Sequence, residues 1–268
     1  MQRLGIIDSL ATITNFTGKT LTIAELEARK LHHDFTELLT RAVQPAIWLL
    51  IFGEVMANIR AIPTGNLPYM DFIAPGILAQ SVLFIAIFYG IAIIWERDLG
   101  IVHKFLVSPT PRSALVLGKG LSAGERGLAQ AAIVYILAFA VGVHLSWNII
   151  SLITVLIIAV LGSVLFSTFS LIIACLVKTR ERFMGIGQIL TMPLFFASNA
   201  IYPISIMPSS LQAISQINPL TYEADALRAL MIVNGPTTYG VPFDILFLLA
   251  ATAVNVAIAA KLYPRVAF

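Results

Sequence analysis

Few side chains in this 268-residue chain could carry out chemistry, and their spacing fits no recognised reaction centre. A phosphate-cradling loop needs Gly, four residues, then Gly-Lys-Ser/Thr, so that backbone N–H groups and the lysine surround the phosphates. Gly118-Lys119 fails this pattern: Gly120 follows it, and Ser113 stands where the first glycine is required. His32 and His33 are adjacent and point to different faces of a helix, while His103 and His144 fall on opposite sides of the topology derived below. Neither pair has metal-ligand spacing. No Asp-rich repeat suited to magnesium–diphosphate chemistry occurs, nor an evident Ser, His and Asp grouping at one depth. The chain is therefore expected to bind no cofactor of its own. A proton or sodium route needs ionisable residues at mid-depth within spans; Glu54 lies inside one, near one end of a short span and within reach of Arg60, and no other span holds one at mid-depth. The single cysteine, Cys175, lies in an apolar run and reads as a small core residue.

The elements that must position these residues follow from composition. The chain is 58% hydrophobic and 12% charged, half the charge of an ordinary soluble domain. Its longest charge-free stretches are Phe72–Trp95, Gly127–Val177, Phe183–Tyr222 and Ile245–Ala260. A bilayer span takes about 20 apolar residues. The expected fold is an all-α integral membrane protein forming one transmembrane domain over residues 1–268. This excludes a soluble enzyme, a nucleic-acid binder and a disulfide-framed secreted protein. Six transmembrane helices fit: Ala42–Ile59, Phe72–Trp95, Leu121–Val143, Trp147–Val177, Phe183–Tyr202 and Phe243–Tyr263. With the N-terminus inside, 15 of the 17 basic residues fall on the inner side, only Arg60 and Arg228 falling outside. Both termini are then cytoplasmic. No cleavable leader is expected, because the first 40 residues hold four basic residues and no long apolar stretch.

Three segments are not simple spans. Thr22–Thr40, in the cytoplasmic N-terminal region 1–41, alternates apolar and charged residues at spacings of three to five. It reads as an amphipathic helix in the inner interface, or as one packed on another protein. The inner loop 96–120 opens on Glu96, Arg97 and Asp98 and carries Phe105, Leu106 and Val107 between His103, Lys104 and Arg112, with Pro109 and Pro111 stopping a helix. An apolar knob with a basic rim suits docking of a partner protein, or a short helix along the membrane surface. The outer segment 203–235 is too apolar for a free loop and too rich in proline for a span, and it reads as a pair of re-entrant helices that must pack on protein. On the fifth span, Gln188, Met192, Phe195, Asn199 and Tyr202 share one face, with Phe196 beside them; on the second, Gln80, Phe84 and Phe88 do the same. These faces read equally as a substrate path for an amphiphile or as an ordinary helix seam.

At this point an ATP-driven permease, an ion-coupled secondary transporter and a membrane-embedded enzyme or assembly factor all remain open. Glu96-Arg97-Asp98-Leu99-Gly100, followed by Leu106 to Arg112 and Leu117-Gly118-Lys119, resembles the signature of type-2 ABC transporter permeases. Asn218-Pro219-Leu220-Thr221-Tyr222-Glu223-Ala224-Asp225-Ala226-Leu227-Arg228 resembles a second signature, closest to daunorubicin-resistance-like multidrug permeases. Arg41 to Gly53 also resembles the entry to that family's first span. Ile101 and His103 depart from the threonine and acidic residue often found there. The resemblance implies an efflux permease of a prokaryotic cell membrane, working as a dimer (expected to be a homodimer) with two separate ATP-binding subunits that carry the ATP and magnesium. It implies that Glu96, Arg97, Asp98, Lys104, Phe105, Leu106, Pro109 and Arg112 couple to the ATPase. Spans two and five would line the path, and the segment holding Asn218, Pro219, Tyr222, Glu223, Asp225 and Arg228 would cap it outside.

Overall fold

The computed structural model describes residues 16–25, 35–60, 62–102, 107, 110–177 and 179–267. Nearly all of them are helical. A first helix, α1 (16–25), precedes α2 (Phe35–Ala46), which passes through a π-helical stretch, Ile47–Gly53, into α3 (Glu54–Ile59). Pro45 has no N–H to donate to the preceding turn, and the wide turn follows directly after it. Arg60, left-handed at φ 53°, stops the helix. The middle of the expected amphipathic helix lies outside the described residues; its start and end fall in α1 and α2.

The second apolar stretch folds as α4 (Tyr69–Tyr89) and α5 (Ile91–Asp98), separated at Gly90. There the Ser170 hydroxyl donates to the Ile87 carbonyl, and a side chain at residue 90 would strike Ser170. The long charge-free run becomes α6 (Arg112–Ala140) and α7 (Ile149–Leu176), the latter capped by the Asn148 side chain accepting from Ile150 N–H at 2.9 Å. α6 begins nine residues before the expected Leu121, because its charged first half is buried rather than wet: Lys119 is 3% exposed and ion-paired to Glu96. α8 (Arg180–Phe196) ends six residues before the expected Tyr202. Past Pro193 the chain turns, with Ser198 Oγ donating to the Phe195 carbonyl and accepting from Ala200 N–H. α9 (Ser209–Ile217) and α10 (Pro219–Met231) are joined through Asn218 alone, and α11 (Val241–Leu262) ends in a 3-10 turn, Tyr263–Ala267.

Among the described residues, four helical stretches are long and apolar enough to cross a membrane: Thr40–Ile59, Tyr69–Asp98, Ile149–Leu176 and Val241–Arg265. α6 is interrupted by charges, and α8 has 17 residues. Both nevertheless run between the same two ends as these four. At one end Leu145 bridges Ile232, Val233 N–H donates to the His144 carbonyl, and buried Asp71 accepts from His144 N–H and Nδ1 at 3.1 and 2.9 Å. At the other end Ile23, Val102, Val116, Cys175 and Tyr263 form one apolar cluster. The main core lies between, around α4, which is buried on nearly all sides.

Candidate functional site

The foot of the second apolar helix is held by charge. Glu96 accepts from Lys119 Nζ at 2.5 Å, the two side chains only 8% and 4% exposed. Asp98 pairs with Arg97 at 3.0 Å and with Arg180 at 2.7 Å, and Arg180 stacks 3.5 Å over Trp95. These contacts tie α5 to the starts of α6 and α8, so that the segment between residues 98 and 112 springs from a braced frame. Arg112 opens α6. Val107 is 87% exposed. Lys104, Phe105, Leu106 and Pro109 lie outside the described residues. Tyr89 Oη and Ser122 Oγ, 2.7 Å apart, and Arg126, 4.7 Å over the Tyr89 ring, continue the bracing upward.

The two candidate path faces adjoin each other: Gly187 of α8 rests against Ile87 and Phe88 of α4. They are not uniform. Gln188 is exposed, and Met192 and Phe196 are 36% and 43% exposed. Phe195 is fully buried, its ring edge-to-face with Trp48 at 5.3 Å. Asn199 and Tyr202 lie beyond the end of α8; Asn199 is buried, and Tyr202 is half-buried with its hydroxyl on the Phe196 carbonyl. On α4, Phe84 and Phe88 are half-buried and 6.5 Å apart, while Gln80 is buried.

α10 and its Asn218 cap concentrate buried polar side chains. Asn218 caps α10 by accepting from Leu220 N–H at 3.1 Å, and its amide donates to the Leu194 and Ala197 carbonyls at 2.7 and 3.0 Å. Pro219 occupies the first turn, where its missing N–H costs nothing. Tyr222 stacks on Phe247 at 3.9 Å and donates to the Gln216 carbonyl. Asp225 accepts from Asn199, Thr237, and the N–H groups of Thr238 and Tyr239 at 2.7–3.3 Å. Burial and the carboxylates of Asp225 and Asp244 hold the Tyr239 phenol above its ordinary value. Arg228, 2% exposed, donates to the Phe72 and Asn199 carbonyls at 3.2 and 2.6 Å and lies 3.9 Å over the Phe72 ring. Together these bonds stitch α10 to α4 and to the turn after α8, beside a cavity of about 320 Å³ at the His144 end.

Glu223 is fully buried, and neither carboxyl oxygen has a partner among the described residues. It presses on Gly162, where any side chain would collide with it. Gly162 stands thirteen residues into α7, about 20 Å along the helix. Sequence reasoning missed Gly162, Lys119 as an ion-pair member, Gln130, and the Asp71–His144 pair. A polar amide and a glycine within a long apolar run were the visible signals for two of these. Gly18-Lys19-Thr20 is a second Gly-Lys pair, but Ile13 replaces the first glycine and the triplet sits inside α1. No cluster of three or more potential metal ligands occurs among the described residues.

Residues 19–232 match the ABC-2 type transporter family. A transport permease named ycf38 from Cyanophora paradoxa is 29% identical over 198 residues, 72% of this chain and 67% of that one. The daunorubicin resistance ABC transporter permease protein DrrB1 of Streptomyces coeruleorubidus is 24% identical over 233 residues, 87% of this chain and 80% of that one. The inner membrane transport permease YadH of Escherichia coli K12 is 26% identical over 228 residues, 80% and 86% of the two chains. A helical membrane chain with buried braces beneath a charged loop, matched by the family over most of its length, belongs to the ABC-2 type transporters: it is a transport permease, a membrane subunit whose family works with an ABC ATP-binding partner.

Proposed function

We propose that the chain is the transmembrane half of an exporter that moves an amphipathic substrate (a drug, lipid or glycolipid-like compound) outward across a prokaryotic inner or plasma membrane by alternating access. Two copies of the chain, as a homodimer, work with two ATP-binding subunits, which carry the ATP and magnesium. Each copy crosses the membrane six times, α6 and α8 joining the four long apolar stretches, with both termini cytoplasmic. The clustering of Arg97, Arg112, Lys119, Arg180 and Lys261 toward one end supports this orientation. α9 and α10 are the re-entrant pair that caps the path. Its depth is supported by Glu223 against Gly162 and Asn218 against Leu194.

The observation that carries the reading is the braced frame around residues 98–112. Glu96–Lys119 and Asp98–Arg180 fasten both flanks of the loop to three helices, so a push on the loop reaches α4, α6 and α8 together. Phe105 and Leu106 are the proposed apolar anchors in the ATPase, with Arg97, Lys104 and Arg112 as the polar rim and Pro109 part of the same coupling segment. Leu106→Asp should abolish copurification with the ATP-binding subunit while membrane insertion stays intact; normal recovery of the complex would overturn the docking assignment. Gln188, Met192 and Phe196 on α8, with Phe84 and Phe88 on α4, form the accessible part of the proposed path. Asn199 and Tyr202 lead to α10, and Phe195 and Gln80 back the wall from within.

A further inference from the structure

The cavity of about 320 Å³ at the His144 end lies between the start of α4, the turn after α8 and the end of α10. Three of its lining side chains are polar and buried: Asn199, Asp225 and Arg228, each no more than 2% exposed. Half-buried Thr64 and exposed Ser205 and Thr238 add hydroxyls, and Phe72, Pro203 and Ile204 supply apolar wall. A second, wider cleft of about 730 Å³ shares Thr64, Gly65 and Pro236 with it and adds Asn66, His144 and Asn234. There Asp71 is already bonded to His144, at 2.9 Å.

The charges of the first cavity are already committed to each other and to the fold. Asp225 accepts from Asn199, Thr237 and the N–H groups of Thr238 and Tyr239. Arg228 donates to two backbone carbonyls, and its Nη1 lies 4.0 Å from Asp225. A cation therefore meets a saturated carboxylate beside a guanidinium, and an anion meets a guanidinium already balanced by a carboxylate. What is left open is an acceptor. The Asn199 amide turns its nitrogen to Asp225 at 3.3 Å, and its buried oxygen has no partner among the described residues. A buried acceptor left unpaired is costly, and a donor from a guest satisfies it. Thr64 Oγ1 donates to the Leu67 carbonyl at 2.7 Å and keeps its lone pairs for a second donor. A neutral hydroxyl donates and accepts from one atom, so it fits both kinds of site. The cavity holds the volume of about ten waters, enough for a single sugar ring, whose C–H face suits the apolar wall while its edge carries several hydroxyls.

We infer that this cavity binds the sugar head of an uncharged glycolipid, one ring hydroxyl donating to the Asn199 amide oxygen and others meeting Thr64, Ser205 and Thr238, with a longer glycan continuing into the adjoining cleft. The inference deepens the export reading and rests on it only in taking the occupant as cargo; a free sugar met from outside has the same hydroxyl chemistry.

Native mass spectrometry of the purified full chain, in a detergent without a sugar head, tests the site without the ATPase. The titrants are monoglucosyl diacylglycerol and diacylglycerol, which differ only in the sugar, and phosphatidic acid as the anion. The wild type should bind the glucosyl lipid at least about tenfold more tightly than either of the others, the worth of one or two net hydrogen bonds. Asn199→Leu should erase most of that preference. Ser205→Trp places bulk at an exposed lining position, away from the core, and should do the same; it keeps the test open should Asn199→Leu fail to fold. Equal binding of the glucosyl lipid and diacylglycerol, tighter binding of phosphatidic acid, or an unchanged preference in the folded variants overturns the site. In vesicles with the ATP-binding subunit, hydrolysis stimulated by the glucosyl lipid and lost in Ser205→Trp marks the occupant as cargo. Binding that free methyl glucoside displaces, with no stimulation, keeps the site and makes the occupant a sugar met from outside.

Discussion

Removing the Glu96 charge should loosen the frame that carries the cytoplasmic loop. In Glu96→Gln, Lys119 stays 3% exposed but loses the carboxylate that sits 2.5 Å away. Two unit charges that close attract strongly at the low effective dielectric of a buried site, and truncating one partner of a buried pair typically costs about 3–5 kcal/mol, because the other charge is left desolvated. At about 2 °C per kcal/mol for a chain of this size, the midpoint of thermal unfolding should fall by roughly 6–10 °C. Lys119→Met should fall by a similar amount for the converse reason. The double variant Glu96→Leu/Lys119→Met removes both charges and should recover most of the loss, since well-packed apolar replacements of buried pairs are often neutral. The assay is fluorescence-detected size-exclusion of heated, detergent-solubilised protein, with Glu96→Leu as the further single variant that closes the double-mutant cycle with Lys119→Met, and ATP hydrolysis of the assembled complex in parallel. The double variant should recover stability but not full hydrolysis, because apolar packing restores the fold without the fixed direction of a charged strut. Single variants within 1–2 °C of wild type, or strictly additive losses, would refute the reasoning.

Two further outcomes separate core from path. Gly162→Ala drives a methyl group into the Glu223 carboxylate; such overpacking costs about 1–3 kcal/mol, and Glu223→Ala in the same chain should return the unfolding midpoint toward that of Glu223→Ala alone. Phe195→Ala empties a fully buried position beside Trp48 and should cost about 3–5 kcal/mol. Phe196→Ala, at a position 43% exposed, should change stability little and transport measurably, as read from unfolding midpoints and substrate flux side by side.

The apolar runs and their flanking charges made most of the helices legible, because a bilayer imposes one length and one composition on whatever crosses it. Helix ends were harder to read. The stretch from Phe183 to Tyr222 is apolar throughout, yet α8 stops at Phe196, where Ser198 takes over the hydrogen bonding. The start of α6 reads too late in the sequence because Arg112 and Lys119 look like loop residues until folding brings Glu96, 23 positions away, against Lys119. Periodicity grouped Phe195 with Met192 and Gln188, but a helix between two neighbours has more than one apolar face. Which of them meets Trp48 depends on the placement of the π-helical stretch after α2 and not on spacing. Of the second motif, Asn218 and Pro219 were readable as a helix start. That Arg228 would end on the Phe72 and Asn199 carbonyls required the fold, since both partners are distant in sequence.

The central claim, that a separate ATPase drives this permease, is tested most directly by flux in proteoliposomes holding the chain together with its ATP-binding subunit. Outward movement of a fluorescent amphiphile should require ATP, stop when a non-hydrolysable analogue that leaves the ATPase inactive replaces it, and ignore imposed proton or sodium gradients. Flux that persists with the inactive ATPase and follows an ion gradient would contradict the account.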